Sequence, residues 1–166
     1  MPLECRPAVN EEVVEREAAR AVVFDSHRAV LLQRIAAGSG PAWILPGGGV
    51  APGETHEQAV VRELAEEVGL RNAVIGPWVW ERTAEFSFRG VRYRQHERYF
   101  LAGAERFEFD HSGLEDVEIG VVLGHRWWSI DDIEAAVRLV FWPRKLAELL
   151  EPLSRGILPS RPIPIE

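Results

Sequence analysis

The segment that most constrains the fold is a run of three glycines followed closely by a strongly specified helix. Gly47–Gly49 have no Cβ and can therefore take backbone paths that other residues resist. Downstream, Thr55 is a predicted N-cap, Gln58 completes a capping box, and Gly69 suits the position just after the last helical turn. The sequence therefore predicts a glycine-rich loop that leads into a helix ending just before Gly69.

Apolar and acidic residues divide this helix into two predicted faces. The apolar residues have the i, i+3, i+4, i+7 spacing and are Val61, Leu64, Ala65 and Val68. Glu63, Glu66 and Glu67, at i, i+3 and i+4, are predicted on nearly the opposite face. Like charges at these spacings each cost about 0.2–0.5 kcal/mol, and Arg62 is the only cation nearby. A bound cation would offset this repulsion, whereas a solvated acidic face is the alternative reading of the three glutamates alone.

The chemistry of these side chains indicates which cation they would hold. Mg2+ is usually bound by a few carboxylates, water molecules and substrate phosphates, so the cluster suits Mg2+, with Mn2+ as a substitute. A thiolate or imidazole site is disfavoured, because Cys5 is the single cysteine and the five histidines lack ligand spacing.

Length and charge narrow the class of protein. The 166 residues are expected to form a single domain, with a core over about 18–153 and a proline-rich tail over 154–166. A net charge of −7 gives no long-range attraction to a nucleic-acid polymer or an anionic membrane. Without a secretory signal or a long apolar run, the sequence predicts a cytoplasmic protein.

Short β-prone runs surround the central helix. They are Ala21–Phe24, Ala29–Gln33, Trp43–Leu45, Val74–Trp80, Glu85–Phe88, Val91–Leu101 and Gly124–Trp128. A hairpin at Asp25–Arg28 is predicted to join the first two runs, and a turn at Arg89-Gly90 to precede Val91. Residues before about Glu17 are predicted to be irregular. Ser129 is a predicted N-cap of a second helix, and Pro143 is placed in the first turn of a third that ends near Leu153. The order predicts an α/β (α+β) fold, a sandwich with a mixed β-sheet between helices.

The glycine loop and the helix together carry a specific motif. Residues 48–70 satisfy G-x5-E-x7-R-E-U-x-E-E-x-G-U, where U is aliphatic, without a mismatch. Seven fixed residue types at roughly 5–7% usage make a chance match on the order of one in a hundred million per start position. This string is the Nudix box, and the chain resembles the Nudix hydrolases. The resemblance covers the motif and the predicted elements from about Ala21 to Val140.

The resemblance implies roles for the residues of the box. Glu63, Glu66 and Glu67 match the family's metal-binding and water-activating glutamates, and the carbonyl of Gly47 matches a backbone metal ligand. The implied reaction is attack of metal-activated water on a phosphorus of a P–O–P linkage in a nucleoside diphosphate derivative. A nucleotide is therefore the expected partner, and a homodimer is one expected state.

Four further residues of the motif region are predicted to have supporting roles. Gly48 and Gly49 are expected to let the loop pass close to the metal and the phosphates. Arg62 is expected to orient a glutamate through a charge-assisted hydrogen bond, and Glu54 to support the geometry between loop and helix.

Residues outside the box are less constrained. Glu97 is the first candidate for an additional metal-binding acid, and an ordinary strand residue paired with arginine is the alternative. The second candidate group lies in a loop and consists of Glu115, Asp116 and Glu118. Arg34 and Arg94 are predicted phosphate contacts. Arg94 alternates along its strand with Arg92 and Arg98, and this basic face could equally be solvent-facing.

Two functions other than hydrolysis are disfavoured by the sequence. A module that binds a nucleotide without cleaving it would have no need for water-activating carboxylates, so the intact glutamates favour the enzyme. Isomerisation of an isopentenyl diphosphate, a reaction of a related fold, usually needs an active cysteine. It is disfavoured because Cys5, the single cysteine, lies far from the box. Nucleoside triphosphates including oxidised ones, dinucleoside polyphosphates and nucleotide sugars all remain candidate substrates.

Overall fold

The computed structural model describes residues 13–110, 112 and 121–166. The strands in these residues are β1 (Val13–Phe24), β2 (Val30–Ala37), β3 (Gly40–Ile44), β4 (Gly47–Gly49), β5 (Val74–Phe88), β6 (Val91–Gly103), β7 (Val122–Trp128), β8 (Phe141–Trp142) and β9 (Ile163–Pro164). The helices are α1 (His56–Val68), α2 (Ile130–Ala135) and α3 (Leu146–Ser154).

The described strands form one mixed sheet around β1. The order is β8-β3-β2-β1-β6-β5-β9, with β4 also paired to β1 and β7 to β2. β1 runs parallel to β6 over its whole length and antiparallel to β2 and β4. The three glycines that the sequence predicted as part of a loop therefore form the short strand β4, which β1 brings next to the strands of the core. We call β4 and the chain between it and α1 the glycine loop.

Helices cover both faces of this sheet. On one face α1 packs Leu64 into an apolar cluster with Ala19 and Phe100. On the other face α3 packs Leu150 into a second cluster that includes Trp80. Both faces of β1 are covered from Ala18 to Val23, and this part of the strand is apolar except for Arg20. The arrangement confirms the predicted α/β class, with a mixed sheet between helices.

The predicted hairpin between the first two strands is present. Asp25 Oδ1 accepts hydrogen bonds from the backbone N–H groups of His27 and Ala29, each at 2.8 Å. A second tight turn joins β5 to β6, where Arg89 and Gly90 both have positive φ, at 50° and 80°. Two consecutive positive φ values match the twist of a two-residue hairpin, so the predicted turn at this site is confirmed.

Most strands extend beyond their predicted limits, and β1 and β5 differ most from the prediction. β1 begins at Val13, where irregular chain was expected, because its first residues pair with β6 from Arg92 onward. β5 is continuous where two runs were expected, and its pairing with β6 shifts register between Ile75 and Trp78. Backbone pairing does not require apolar side chains, so polar stretches of these strands were missed. The bulge lets β5 include Pro77, which lacks an N–H group.

The prediction for the start of the last helix was wrong. Pro143 lies ahead of α3, which begins at Leu146, because β8 pairs with β3 and keeps the chain extended as far as Trp142. The end of the predicted tail also joins the fold, since Ile163 pairs with β5 at the sheet edge. Proline is tolerated at that edge. Of the described helices, none combines the length and the apolar character needed to span a bilayer.

Candidate active site

Helix α1 has the limits that its capping residues predict. Thr55 Oγ1 accepts from the N–H of Gln58, and the Gln58 side chain accepts from the N–H of Thr55 at 2.8 Å. Gly69 ends the helix in a left-handed conformation with φ of 80°. These local bonds fix where the helix begins and ends.

The predicted division of α1 into an apolar and an acidic face was only partly right. Leu64 and Val68 are buried, but Val61 and Ala65 are only partly buried, whereas Glu63 and Glu67 are 4% and 2% exposed. The cause is the neighbour of the helix. α1 lies beside the glycine strand β4, which offers no side chains, so the flank that carries these two glutamates faces protein instead of solvent.

The absence of a side chain at Gly48 makes room for the Glu63 carboxylate. A Cβ atom at Gly48 would lie 2.4 Å from Glu63 Oε1 and 2.6 Å from its Cδ. Gly47 is required for a different reason, since its φ is 134° and a Cβ there would lie 2.2 Å from the Ala19 carbonyl oxygen. The first two glycines of the run therefore let the loop approach both the glutamate and β1.

Glu67 is fixed against the same loop. Its Oε2 accepts from the N–H of Gly47 at 2.8 Å, and its Oε1 accepts from Gln33 Nε2 at 3.1 Å. Gln33 Oε1 in turn contacts His125 Nε2 at 3.1 Å. Burial raises the pKa of Glu67 to about 8, and the negative charge of Glu63 adds to this effect. A cation beside Glu67 would offset the cost of its buried negative charge.

Arg62 joins the loop to the glutamates. It donates to both carboxylate oxygens of Glu54, at 2.9 and 3.0 Å, and to the Gly49 carbonyl at 2.9 Å. It also donates to Glu63 at 2.8 Å and to Glu66 at 3.0 Å. The hydrogen bond from Arg62 is the main cause of the lowered pKa of Glu54. One guanidinium thus ties the loop, the helix and two glutamates together.

Glu97 lies in a buried cluster of polar side chains. Its Oε1 accepts from Arg20 Nε and from Gln95 Nε2, each at 2.8 Å. Its Oε2 accepts from Arg82 Nη1 at 3.1 Å and from the Tyr99 hydroxyl at 2.5 Å. Burial opposes its charge, but the charge of Arg20 and the bonded donors outweigh burial and lower the pKa of Glu97 to about 2. A cation at Glu97 would have to compete with these four donors for the carboxylate oxygens. Metal binding by Glu97 stays a prediction.

The two predicted phosphate contacts, Arg94 and Arg34, lie on strands β6 and β2. Arg94 is 42% exposed and bonds Glu85 and Glu15 at 2.8 and 2.9 Å. Arg34 is exposed and lies opposite Trp43 in the sheet. The remaining acidic candidates, Glu115, Asp116 and Glu118, lie outside the described residues.

The donor set suits a hard divalent cation. Glu63, Glu66, Glu67 and the Gly47 carbonyl offer oxygen ligands, which Mg2+ and Mn2+ prefer. Within residues 13–110, 112 and 121–166, no three acidic or histidine side chains already converge in a ligand arrangement. Arg62 holds two of the glutamates, and Glu67 is turned to the Gly47 N–H. The residues therefore fit the metal by their chemistry, with Glu63 kept near the loop by the space at Gly48.

Some residues of the site escaped the sequence analysis. Gln33 holds Glu67, and Arg20 donates from Nη1 to the carbonyls of Leu45 and Gly47 at 3.0 and 3.2 Å. A signal for Arg20 was present, because a charged residue stands in the middle of an apolar strand run and such a residue needs a buried partner. No signal in the sequence indicates what that partner is.

Comparison with known proteins agrees with this geometry. The protein named “Putative 8-oxo-dGTP diphosphatase 2” of Mycobacterium tuberculosis is 41% identical over 73 residues, which are 43% of this chain and 50% of that protein. The RNA pyrophosphohydrolase of Legionella pneumophila is 41% identical over 64 residues, which are 39% of this chain and 33% of that protein. The chain thus spans half or less of the length of these relatives.

Solved structures and a family model extend the match to most of the chain. The MutT protein from Methanosarcina mazei Go1 has a TM-score of 0.62 and 22% identity, with 87% of this chain and 96% of that chain covered. At this identity the likeness shows the fold alone. The model of the NUDIX domain matches residues 14–150. With its complete Nudix box, its fold and this match over most of its length, the chain belongs to the Nudix hydrolase family.

Proposed function

We propose that this protein is a Mg2+-dependent pyrophosphohydrolase that cleaves the diphosphate linkage of a nucleoside diphosphate derivative. The observation that carries the proposal is the burial of Glu63 and Glu67 against a glycine strand within an intact Nudix box. Two buried carboxylates next to each other are costly unless a cation shares the site. A protein that only binds nucleotides would gain nothing from keeping them.

The proposed roles follow the contacts at the loop. Glu63, Glu66 and Glu67 would hold the cation together with the Gly47 carbonyl. When bound, the cation would acidify a water molecule, align the phosphates and neutralise the charge of the leaving group. Because Gly48 and Gly49 have no Cβ atoms, the backbone of the loop could pass close to the metal and the phosphates.

The other side chains of the site hold these groups in place. The Gly47 N–H and Gln33 fix the Glu67 carboxylate. Arg62 supports Glu63 and Glu66, and Glu54 supports Arg62. Hydrolysis of the P–O–P linkage then adds water across one P–O bond and releases two phosphorylated products. Gly49, Arg34 and Arg94 remain proposed contacts to the substrate phosphates, and Glu97 remains a proposed further ligand.

The substrate class is proposed from the reaction and the charge of the chain. The relatives are named as an 8-oxo-dGTP diphosphatase and an RNA pyrophosphohydrolase, and both names describe cleavage of a P–O–P linkage. The net charge of −7 favours a small nucleotide over a nucleic-acid polymer. We therefore propose a nucleoside triphosphate, a dinucleoside polyphosphate or a nucleotide sugar as substrate, in the cytoplasm. The proposal treats residues 1–166 as one domain with a core over 18–153, acting as a monomer or a homodimer.

The test combines a substrate screen with a conservative variant. Candidate nucleotides are incubated with Mg2+ or Mn2+, and the products are identified by mass so that the cleaved bond is known. We expect Glu67→Gln to lower kcat by at least about 100-fold, because the amide loses the charge that a cation needs, while its single oxygen can still accept the hydrogen bond from the Gly47 N–H. Glu57→Gln, an exposed change in the first turn of α1, is the matched control.

Two outcomes would count against this function. Turnover in Glu67→Gln equal to that of Glu57→Gln would remove Glu67 from the reaction. Nucleotide binding measured by calorimetry without turnover of any compound in the screen would indicate the binding module instead.

A further inference from the structure

A buried ion pair lies directly behind the glycine loop. Arg20 stands in the middle of β1 between Ala19 and Ala21, both fully buried. Strand alternation places Arg20 on the face opposite α1, since Ala19 and Ala21 pack in the cluster beneath that helix. In the sheet Arg20 lies opposite Gly47 of β4. Its guanidinium is therefore positioned to act on the loop from the side of the sheet away from the glutamates.

Gly47 is held from two directions. Its carbonyl accepts from Arg20 Nη1 at 3.2 Å, and its N–H donates to Glu67 Oε2 at 2.8 Å. The same Arg20 Nη1 donates to the Leu45 carbonyl at 3.0 Å, so a single guanidinium nitrogen spans the turn into the loop. Any movement of Arg20 would therefore move the residue that anchors Glu67.

Glu97 keeps Arg20 in this orientation. The Nε atom of Arg20 donates to Glu97 Oε1 at 2.8 Å, and the two side chains are 15% and 2% exposed. Glu97 is itself immobilised by Gln95, Arg82 and Tyr99. A largely buried guanidinium that is bonded at both Nε and Nη1 has little freedom to turn, because turning would break these hydrogen bonds where water cannot easily replace them. The pair is thus a rigid support that extends from β6 through β1 to the loop.

We propose that Arg20 and Glu97 are positioning residues, which place Gly47 and through it Glu67 for the reaction. The proposal rests on the proposed function, because it assigns the support of the same site. It also gives Glu97 a role that needs no direct contact with metal or substrate. The pair acts on metal affinity and turnover by placing the loop.

The primary test is Arg20→Lys, with Arg106→Lys as matched control. Lysine keeps the charge but has one nitrogen, which cannot serve Glu97 and the two carbonyls in the same geometry. Arg106 also pairs with a buried carboxylate, that of Asp25, far from the loop in sequence. We expect Arg20→Lys to lower Mn2+ affinity and kcat by about 10- to 100-fold, with KM changed less than about threefold. Arg106→Lys should leave all three at wild-type values.

A second readout needs neither metal nor activity. In the metal-free chain labelled with 15N-glycine, the amide resonance of Gly47 reports its hydrogen bond to Glu67. We expect this resonance to move in Arg20→Lys and in Glu97→Gln, while that of Gly38, which lies in a distant turn, stays in place. Glu97→Gln decides alone if Arg20→Lys does not fold. A third readout uses the wild-type chain labelled with both 15N-glycine and 15N-arginine, in which titration with Mg2+ should shift the Arg20 Nε–H resonance together with the Gly47 amide resonance.

The results separate this proposal from the proposed function. Folded variants with the Gly47 resonance, Mn2+ affinity and kcat of the wild type would overturn the positioning role. So would an Arg20 Nε–H resonance that ignores Mg2+ while the Gly47 amide responds. If instead the wild-type chain takes up no metal and hydrolyses nothing, but the Gly47 resonance still follows Arg20, the proposed function fails and the structural coupling stands.

Discussion

The space at Gly48 provides a sharp test of how closely the loop and the glutamates are fitted. In Gly48→Ala the new methyl group would lie 2.4, 2.6 and 2.8 Å from the three atoms of the Glu63 carboxyl group, nearer than real Cβ atoms come to any neighbour. Carbon atoms in ordinary contact are about 3.5–4.0 Å apart, so the carboxylate must move by roughly 1 Å. The φ of Gly48 is not positive, so the effect comes from the methyl group and not from backbone strain.

The size of the effect follows from that displacement. A misplacement of about 1 Å at a reacting centre can cost about 100-fold in rate. Pushing one methyl group into a packed site costs about 1–3 kcal/mol of unfolding free energy. We therefore expect kcat to fall by about 100-fold and metal affinity to fall with it, while the chain still folds.

The assay compares Gly48→Ala with Gly38→Ala. A Cβ at Gly38 meets nothing within 4 Å, so this control adds the same methyl group without a contact. Turnover of the substrate found in the screen, Mn2+ affinity by calorimetry and unfolding in urea are measured for both. A Gly48→Ala protein whose kcat and metal affinity stay within threefold of the Gly38→Ala values would refute the fit between loop and glutamate.

Two further predictions concern stability. Thr55→Ala removes the acceptor for the N–H of Gln58 and should lower the unfolding free energy by about 1 kcal/mol in urea melts, and an unchanged value would argue against the cap. Burial alone would raise the pKa of Asp25, but hydrogen bonds from Arg106, Ala29 and His27 lower it below the usual 3.8. The ionised Asp25 carboxylate therefore stabilises the fold fully at pH values well above 3.8. This stabilisation is lost as the pH falls through the lowered pKa of Asp25 in the folded chain. Asp25→Asn should cost about 1 kcal/mol at neutral pH, and this deficit should shrink in acid melts below about pH 4, whereas a deficit independent of pH would contradict the assignment.

The features that the sequence predicted well depend on residues close together in the chain. The capping box of Thr55 and the left-handed Gly69 act within one turn of α1, so their types and spacing suffice to place both ends. The turn at Arg89 and Gly90 is equally local. The box glutamates belong to this class, since the contiguous motif over residues 48–70 identified them.

The features that it missed depend on which strand lies beside which. Val13 is part of a strand because β6 is its neighbour, and its own side chain gives no sign of that pairing. From the sequence, Glu97 was predicted to bind a metal or to pair with a neighbouring arginine. In the structure it pairs with Arg20, which is 77 residues away in the chain. Pairings at such separations are set by the topology of the sheet.

What the sequence determined by itself is the chemistry of the site: three glutamates at helical spacing behind a glycine run, with the helix limits that present them. What only the tertiary structure decided is the environment of those glutamates. α1 lies against a strand without side chains, so Glu63 and Glu67 are buried where the helix pattern predicted exposure. Burial and charge are properties of all the neighbours that surround a group, and most of these neighbours come from distant parts of the chain.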